Sequence, residues 1–396
     1  MTQEPAATSD PRTAWTGGHQ SLLRMAIAGW MLVRLVWLAH LALRQTTAGA
    51  EGGSGAQVHG PEGAMIAAVG LALAVALFVG WRIRTVAALL AALFALLALR
   101  DPLRSLTDII AASALIGVVA APAAPWASVD ALGRLDPDGG WRRPSWHGPL
   151  ARLVLTLLAS GWALSLIEAV RPGDALRDGI GVQGGLPESW AGDLPALPLG
   201  VTLLTSAIAL QISATARLGW VAASAWLLGL GLATDYVALP AALALHWLAA
   251  MEPHWLPGLP CDGEDLVLYD GHCGLCHRAV RWLLAEDADG QTFRFAALGG
   301  STWQARLSAS DRAELPDSVV VLTSDGRLLT RWRAVQHLLA RLGGVWALLQ
   351  LATAWIPARL GDAGYELVAA IRHRLFQAPQ DACPLLPPTL RARLLP

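Results

Sequence analysis

Residues 265–285 read DLVLYDGHCGLCHRAVRWLLA, an apolar strand that turns into a helix whose first turn carries Cys273 and Cys276. Two intervening residues place both sulfurs on one helical turn, close enough to form a small disulfide ring. The unpaired N–H groups and positive dipole end of a helix start lower the pKa of a cysteine from about 8.5 toward roughly 3.5–7.5. The sequence therefore predicts a redox dithiol, with Cys273 as the more exposed attacking thiol and Cys276 as the resolving thiol.

Zinc binding is one alternative for a pair of cysteines at this spacing. A structural zinc site normally uses four Cys or His ligands in two spaced pairs, and here the second pair is missing. His272 and His277 flank the thiols, whereas Cys261 and Cys383 stand singly in a linker and in a proline-rich tail. Ligands this close in sequence rarely complete a tetrahedron, so we predict no metal, and the alternative stays open.

Haem attachment is the second alternative, because the letters CGLCH at 273–277 match the c-type pattern. The apolar strand that leads directly into the motif favours a βα redox fold instead. The chain beyond Met251 also contains no methionine to act as the usual distal ligand of the haem iron. Haem with two histidine ligands stays open as an alternative. We predict no cofactor.

Asp270 is the third residue that we assign to the candidate site. Its position just before the motif helix suits a turn former or helix cap, and also a group that tunes the pKa of the thiols or moves a proton. We expect His272 and His277 to be solvated unless one of them stabilises the thiolate.

The elements after the motif helix follow the order of a thioredoxin-like domain. Hydrophobic alternation and turn signals predict β-α-β-α-β-β-α, with the dithiol at the end of the first strand. The predicted strands are 266–269, 293–297, 318–323 and 327–332, and the predicted later helices are 303–307 and 334–342.

Several separated motifs in this segment occur together in one known family. They are Asp270-Gly271-x-Cys273-x-x-Cys276, Asp317-Ser318-Val319-Val320, Asp325-Gly326-Arg327, Ile356-Pro357 with Asp362 and Tyr365, Arg372-His373-Arg374-Leu375-Phe376, and Cys383. The segment 264–387 resembles the DCC family of predicted thiol-disulfide oxidoreductases. The resemblance implies a reaction class, with Asp270, Cys273 and Cys276 as signature residues, but no substrate.

The first 255 residues account for most of a composition that is 54% hydrophobic, with mean hydropathy +0.46. We expect a membrane α-helical bundle with about eight spans, because the apolar segments approach the ~20 residues that cross a bilayer. The polar first 20 residues show no clear cleavage site, which favours an uncleaved signal anchor. The predicted spans are 22–43, 64–81, 84–99, 106–122, 149–170, 197–215, 218–233 and 235–251.

Ionisable residues within these spans include Arg34, His40, Glu168 and His246. Charged groups are costly in lipid and are therefore functional candidates by default. For Arg34, the structural alternatives are snorkelling or an internal pair with Glu168.

Arginines decide the predicted orientation, because the chain contains no lysine. The loops that face the cytoplasm if the N-terminus is inside carry Arg82 and Arg84, then Arg134, Arg142 and Arg143, then Arg217. This bias predicts an inner-membrane protein with a cytoplasmic N-terminus. An even number of spans then puts the dithiol in the cytoplasm, where thiol pairs are kept reduced.

One membrane stretch resembles a second family. The run 160–168, followed by Arg171-Pro172-Gly173-Asp174 and Arg177-Asp178-Gly179, is similar to HTTM domains, relatives of the membrane part of vitamin K-dependent γ-carboxylases. Glu168 stands where that pattern tends to have lysine. The resemblance therefore implies a multi-helix architecture only.

The sequence predicts a polar tail (1–20), a membrane domain (21–251), a proline-rich linker (252–263), the dithiol domain (264–387) and a tail (388–396). We expect a membrane-tethered thiol-disulfide oxidoreductase that acts on a disulfide-containing protein or small thiol and draws on an unidentified electron donor. The bilayer is an expected partner, and the net charge of −1 gives no argument for nucleic acid. The alternative function is a membrane carrier or scaffold with a redox-sensing or partner-docking domain.

Overall fold

The computed structural model describes residues 15–47, 60–100, 106–122, 126–131, 141, 143–169, 196–233, 238–260, 262–287, 289–316, 318–375 and 388–396. The chain divides into two compact units. The helical unit comprises Gln20–Leu132 and Arg143–Met251, and the α/β unit comprises Met1–His19, Gly133–Arg142 and Glu252–Pro396.

Among the described residues, the helical unit contains eight α-helices, and each of them overlaps one of the eight predicted spans. The first turn of α1, up to His19, belongs to the α/β unit. The helices are α1 (Gly17–Thr47), α2 (Gly60–Val79), α3 (Ile83–Arg100), α4 (Leu106–Ala120), α5 (His147–Ala169), α6 (Ala196–Gln211), α7 (Ala216–Ala233) and α8 (Ala238–Ala250).

Fewer of these helices than the sequence predicts are both long enough and apolar enough to cross a bilayer. Within the described ranges, two segments are long and apolar enough to cross a bilayer, Gly17–Leu43 with 27 residues and Pro61–Val79 with 19. Several others, such as Thr107–Ala120 and Leu239–Ala250, are apolar but shorter. Since a helix rises about 1.5 Å per residue, they fall short of a ~30 Å hydrocarbon core. The prediction of about eight spans is therefore not supported.

Arg34 lies in a buried ion pair inside the helical unit. Its Nε and Nη2 atoms donate to the two carboxylate oxygens of Asp108 on α4, each at 3.1 Å. The sequence suggested Glu168 as an internal partner, and the side chain of that residue lies outside the described part. The bidentate contact with Asp108 accounts for an arginine in an apolar helix, because it satisfies both charges at once.

The α/β unit contains a mixed five-stranded sheet with helices between the strands. A 3₁₀ turn at Pro253–Trp255 precedes the first strand. The elements are β1 (Asp265–Tyr269), α9 (Gly274–Glu286), β2 (Phe293–Ala297), α10 (Ser301–Arg306), α11 (Ala309–Glu314), β3 (Val320–Leu322), β4 (Leu328–Thr330), α12 (Arg331–Leu342), α13 (Gly344–Thr353), α14 (Ala358–Leu375), α15 (Pro388–Arg391) and β5 (Leu394–Leu395).

The strand order is β4-β3-β1-β2-β5. Strand β1 pairs parallel to β2, with Val267 opposite Phe295, and antiparallel to β3, with Val267 opposite Val321. Strand β5 pairs parallel to β2, and β3 pairs antiparallel to β4. The predicted α/β element order is confirmed from β1 to α12 with one additional short helix, α11, and the end of central strand β1 leads directly into the dithiol.

Alternating side chains give the sheet two apolar faces. Val267 belongs to the core that includes Val280, Leu283 and Phe295, whereas Leu268 belongs to the core on the other face. Successive residues of a strand point to opposite faces, so the continuous apolar run of β1 identifies a strand covered on both sides. The central position of β1 follows from this pattern.

The segments predicted to flank the domain contribute to it. Within the predicted linker, Leu259 N donates to Ala340 O at 2.9 Å. At the chain end, Leu394–Leu395, predicted as part of a tail, forms strand β5 beside β2. The hairpin predicted at Asp325-Gly326 is present, with Gly326 at φ +84°, a conformation that glycine adopts without steric cost.

Candidate redox site

The dithiol occupies the first turn of α9, as the spacing predicts. Cys273 is the N-cap residue in extended conformation, and the backbone N–H of Cys276 donates to Cys273 Sγ at 3.4 Å. Both cysteines are free thiols. An N-cap side chain that accepts from the N3 amide satisfies one of the orphan donors of the helix start. Here a sulfur performs this role, which brings its electron density to the positive end of the helix dipole.

The exposure of the two thiols is the reverse of the prediction. Cys273 is 0% exposed, whereas Cys276 is partly exposed. The capping hydrogen bond gives the physical reason, because it turns the Cys273 side chain back over the helix start and away from solvent. The expectation that Cys273 is the more exposed thiol is therefore wrong.

The surroundings of Cys276 disfavour its thiolate form. Burial raises the pKa of the Cys276 thiol to about 12, and the hydrogen bond and charge of Cys273 act in the same direction. The guanidinium of Arg372 acts in the opposite direction and offsets only part of the rise. Cys276 therefore remains a protonated thiol at neutral pH.

Asp270 forms the turn between β1 and the dithiol. Its Oδ1 accepts from the backbone N–H of His272 at 2.8 Å, and its Oδ2 lies 3.6 Å from Arg372 Nη2. The turn-forming contact is one of the two roles that the sequence allows for this residue. The ion pair with Arg372, whose side chain is 4% exposed, places a balanced pair of charges beside Cys276.

The histidines that flank the thiols have different surroundings. The His272 side chain is 99% exposed, whereas His277 Nε2 lies 2.8 Å from Gly271 O and its ring packs edge-on against Tyr269. In the described part of the chain, no group of three His, Cys, Asp or Glu residues is arranged to hold a metal ion. Cys261 and Cys383 lie outside the described residues.

A cavity of about 190 Å³, which the sequence did not predict, adjoins the dithiol. It lies between β1, α9, α12 and α14, and Cys276 forms part of its wall. Its lining residues come from segments that are far apart in sequence, so no local sequence pattern predicts the cavity. The lining residues are Val267, Tyr269, Leu275, Cys276, Ala279, Val280, Trp282, Leu283, Val319, Val335, Leu338, Leu339, Tyr365, Val368, Ala369 and Arg372.

Two polar contacts fix α14, the helix that carries Arg372. Tyr365 Oη accepts from the backbone N–H of Val319 at 2.8 Å, and Asp362 Oδ1 accepts from the N–H of Trp332 at 3.2 Å. Gly361 also lies against the Trp332 ring, where an added Cβ would be 2.2 Å from Cγ. The motif at 356–365, which resembles the DCC family, thus holds α14 against the sheet and α12.

At the opposite end of α9, Asp287 is a buried carboxylate. Its Oδ2 accepts from the N–H groups of Thr292 and Phe293 at 3.2 and 3.1 Å and pairs with the Arg393 guanidinium. Burial raises the pKa of Asp287, and the Arg393 charge opposes that rise. This ion pair links the helix end to the chain segment that forms β5.

Glu286, the last residue of α9, has a side chain that is 0% exposed. Its carboxylate accepts from Trp346 Nε1 at 2.7 Å, from the backbone N–H of Gly18 at 2.9 Å and from the Thr16 hydroxyl. Gly18 lies in the first turn of α1, so Glu286 supplies an acceptor for an otherwise orphan amide there. The C-terminal end of α9 is therefore fully engaged in polar contacts.

Comparisons with known proteins place this domain among thiol-disulfide enzymes. Residues 267–378 match the family described as DCC1-like thiol-disulfide oxidoreductase. This match does not extend to the HTTM-like stretch, and that resemblance is not shown. No solved structure matches the chain significantly.

Two curated relatives are similar to the chain over about a third of its length. The uncharacterised protein YuxK of Bacillus subtilis (strain 168) is 30% identical over 131 residues, which are 33% of this chain and 93% of YuxK. The chloroplastic DCC family protein At1g52590 of Arabidopsis thaliana is 29% identical over 124 residues, 31% of this chain and 71% of that protein. Through its C-terminal domain, the chain belongs to the DCC1-like thiol-disulfide oxidoreductase family.

Proposed function

We propose that the protein is a membrane-tethered thiol-disulfide oxidoreductase that exchanges electrons through Cys273 and Cys276. The observation that carries the proposal is the pair of free thiols at the start of α9, where the Cys276 amide donates to Cys273 Sγ. That hydrogen bond places Cys273 Sγ at the positive end of the helix dipole, whereas burial holds Cys276 as a thiol.

The sheet supports a thioredoxin-like description of the domain. The neighbouring strands β2, β1, β3 and β4 combine one parallel pair with two antiparallel pairs, as a βαβ unit followed by a hairpin produces. The dithiol stands at the carboxyl end of β1, the position at which open α/β sheets carry their chemistry.

In the proposed cycle, the Cys273 thiolate attacks one sulfur of a substrate disulfide, and the other sulfur leaves as a thiol after protonation. Cys276 then gives up its proton, attacks Cys273 Sγ in the mixed disulfide and releases the second substrate thiol. The Cys273–Cys276 disulfide now holds the oxidising equivalents, and an external dithiol reductant restores both thiols. Because Cys273 is 0% exposed, the turn at Gly271–Cys273 must open for the first attack.

Asp270 and Arg372 act as positioning residues in this proposal. Their ion pair joins the turn before the dithiol to α14, and the Arg372 charge lowers the pKa of Cys276 against the stronger effect of burial. A proton is therefore lost more readily from Cys276 during the resolving step than it would be in a purely apolar wall.

Membrane tethering is proposed from α1 and α2, which contain the two segments of spanning length. The arginine-rich loops favour a cytoplasmic N-terminus in the inner membrane. Two spans return the chain to the side on which it began, as any even number does. We therefore propose that the dithiol faces the cytoplasm and works mainly as a reductant. A membrane-impermeant thiol reagent should leave a cysteine introduced at the exposed position Glu314, as Glu314→Cys, unlabelled in intact cells and should label it once the membrane is opened.

A trapping experiment on the full-length protein tests the proposed turnover. In Cys276→Ser, the mixed disulfide on Cys273 cannot be resolved, so a substrate protein or small thiol should accumulate on Cys273 in non-reducing mass spectra. The matched Cys273→Ser protein should trap nothing and should lose all disulfide reduction. A Cys276→Ser protein that gains no adduct would instead favour a redox-sensing or partner-docking domain. The burial of Cys273 is the observation that fits this second function.

A further inference from the structure

We infer that the cavity beside Cys276 is a substrate pocket that selects disulfides bearing one phenyl-sized apolar group next to the sulfur. The inference rests on the proposed function of the dithiol and adds the class of substrate: a small aryl disulfide. Cys276 forms part of the cavity wall, so a group seated there holds its sulfur beside Cys276, the neighbour of the attacking thiol on the same helical turn.

The chemistry of the wall favours an apolar occupant. Apart from Cys276, the polar side chains that line the cavity belong to Tyr269, Trp282, Tyr365 and Arg372, and the remaining lining residues are aliphatic. The Tyr365 hydroxyl accepts from Val319 N–H, and the Arg372 charge is matched by Asp270. Ligand pockets of this kind gain most of their affinity from apolar contact and little from charge.

The size of the cavity sets the size of the group. An apolar cavity of about 150 Å³ in another protein is known to bind benzene, so 190 Å³ accepts one aromatic ring or a branched aliphatic group of similar volume. The rim residues Ala279 and Val368 are exposed, which gives a ligand a path from solvent.

The reaction at this pocket balances without a cofactor. One substrate R–S–S–R′ takes two electrons and two protons from the Cys273 and Cys276 thiols and leaves as R–SH and R′–SH. The protein retains the Cys273–Cys276 disulfide. A single turnover by pre-reduced protein therefore needs no added reductant.

The test compares two mixed disulfides that share a carboxymethylthio half for solubility, phenyl carboxymethyl disulfide and methyl carboxymethyl disulfide. Pre-reduced full-length protein in lipid nanodiscs is mixed with each substrate and quenched with acid, and Cys273–Cys276 disulfide formation is followed by mass spectrometry. Each rate is divided by the rate of free dithiothreitol with the same substrate. Burial of a phenyl group predicts a normalised preference of about tenfold or more for the aryl substrate.

Neighbouring alanines on α14 provide matched variants. Ala369 lines the cavity, whereas Ala370 is exposed and lies outside it. Ala369→Leu should fill the cavity and bring the rate ratio down toward one, and Ala370→Leu should keep the wild-type ratio. Ala279→Leu, at an exposed position on the cavity rim, obstructs the entrance independently should Ala369→Leu disturb the fold.

The outcomes separate the two proposals. Oxidation by both substrates at equal normalised rates, or a preference that survives both Ala369→Leu and Ala279→Leu, overturns the pocket while leaving the dithiol function intact. If neither substrate oxidises the pair, the proposed function fails and the pocket inference fails with it. An aryl preference that Ala369→Leu removes and Ala370→Leu retains supports both proposals.

Discussion

Helix α9 carries two thiols in its first turn and two buried carboxylates at its end, and these ends are packed in opposite ways. At the C-terminal end, Glu286 and Asp287 are enclosed by donors from three chain segments. At the N-terminal end, Cys276 borders a cavity of about 190 Å³. The contrast shows that α9 is held by polar contacts at its C-terminal end, whereas its N-terminal end borders an unfilled apolar cavity beside Cys276.

The largest expected effect concerns Cys276 at the N-terminal end of α9. A pKa of about 12 for Cys276, against an ordinary value of 9.0, predicts alkylation by iodoacetamide about a thousandfold slower at neutral pH than for an unperturbed thiol. The sign follows from protonation, because the unreactive thiol persists until the pH approaches the raised pKa. Tandem mass spectrometry of the peptide that ends at Arg278 distinguishes Cys276 from Cys273.

Cys273→Ser is the matched variant for this measurement. It removes the sulfur whose hydrogen bond and charge contribute to the rise, so the pKa of Cys276 should fall and its alkylation should accelerate. Alkylation of Cys276 in the wild type at the rate of a free thiol would contradict the packing described for this end of α9.

A somewhat smaller effect is expected at the anchored end. Asp287→Ala leaves the Arg393 guanidinium, whose side chain is 4% exposed, buried without its partner. Breaking a buried pair in this way costs about 3 kcal/mol or more. We expect the free energy of unfolding to fall by that amount in urea titrations of the full-length protein followed by tryptophan fluorescence.

Glu314→Ala serves as the control, because Glu314 is an exposed carboxylate on α11 of the same domain. A surface substitution of this kind changes stability by about 0.5 kcal/mol or less. Equal stability losses in Asp287→Ala and Glu314→Ala would show that the end of α9 is not the anchor that its contacts indicate.

The smallest effect is expected for Asp270. Asp270→Asn keeps an acceptor for the His272 amide but removes the charge that pairs with Arg372. Because Asp270 is partly exposed, the change is worth about 0.6 kcal/mol, or roughly threefold in the alkylation rate of Cys276. The expected direction is faster alkylation, since the Asp270 charge raises the pKa of Cys276. A loss of disulfide reduction of tenfold or more would instead identify Asp270 as a catalytic group.

Periodicity predicted the α/β domain well because its strands and helices alternate between buried and exposed faces. Strand Phe293–Ala297 was predicted to the residue, and the glycines at 343 and 344 end α12 as expected. The same method misjudged the helical unit. A shorter apolar run has the composition of a span without its length, so hydropathy predicted the helices, but only two of the described segments are long and apolar enough to cross a bilayer.

The sequence by itself determined the dithiol, its place at a helix start and the order of strands and helices along the chain around it, because these depend on spacing and on local hydrophobic pattern. Only the tertiary structure decided which thiol is buried, since the Cys273 side chain is turned inward by the capping contact with the Cys276 amide. It also decided the cavity, the Asp270–Arg372 pair and the Asp287–Arg393 pair, each of which joins residues about 100 positions apart. Contacts at such separations arise from packing of the whole domain, which no local pattern specifies.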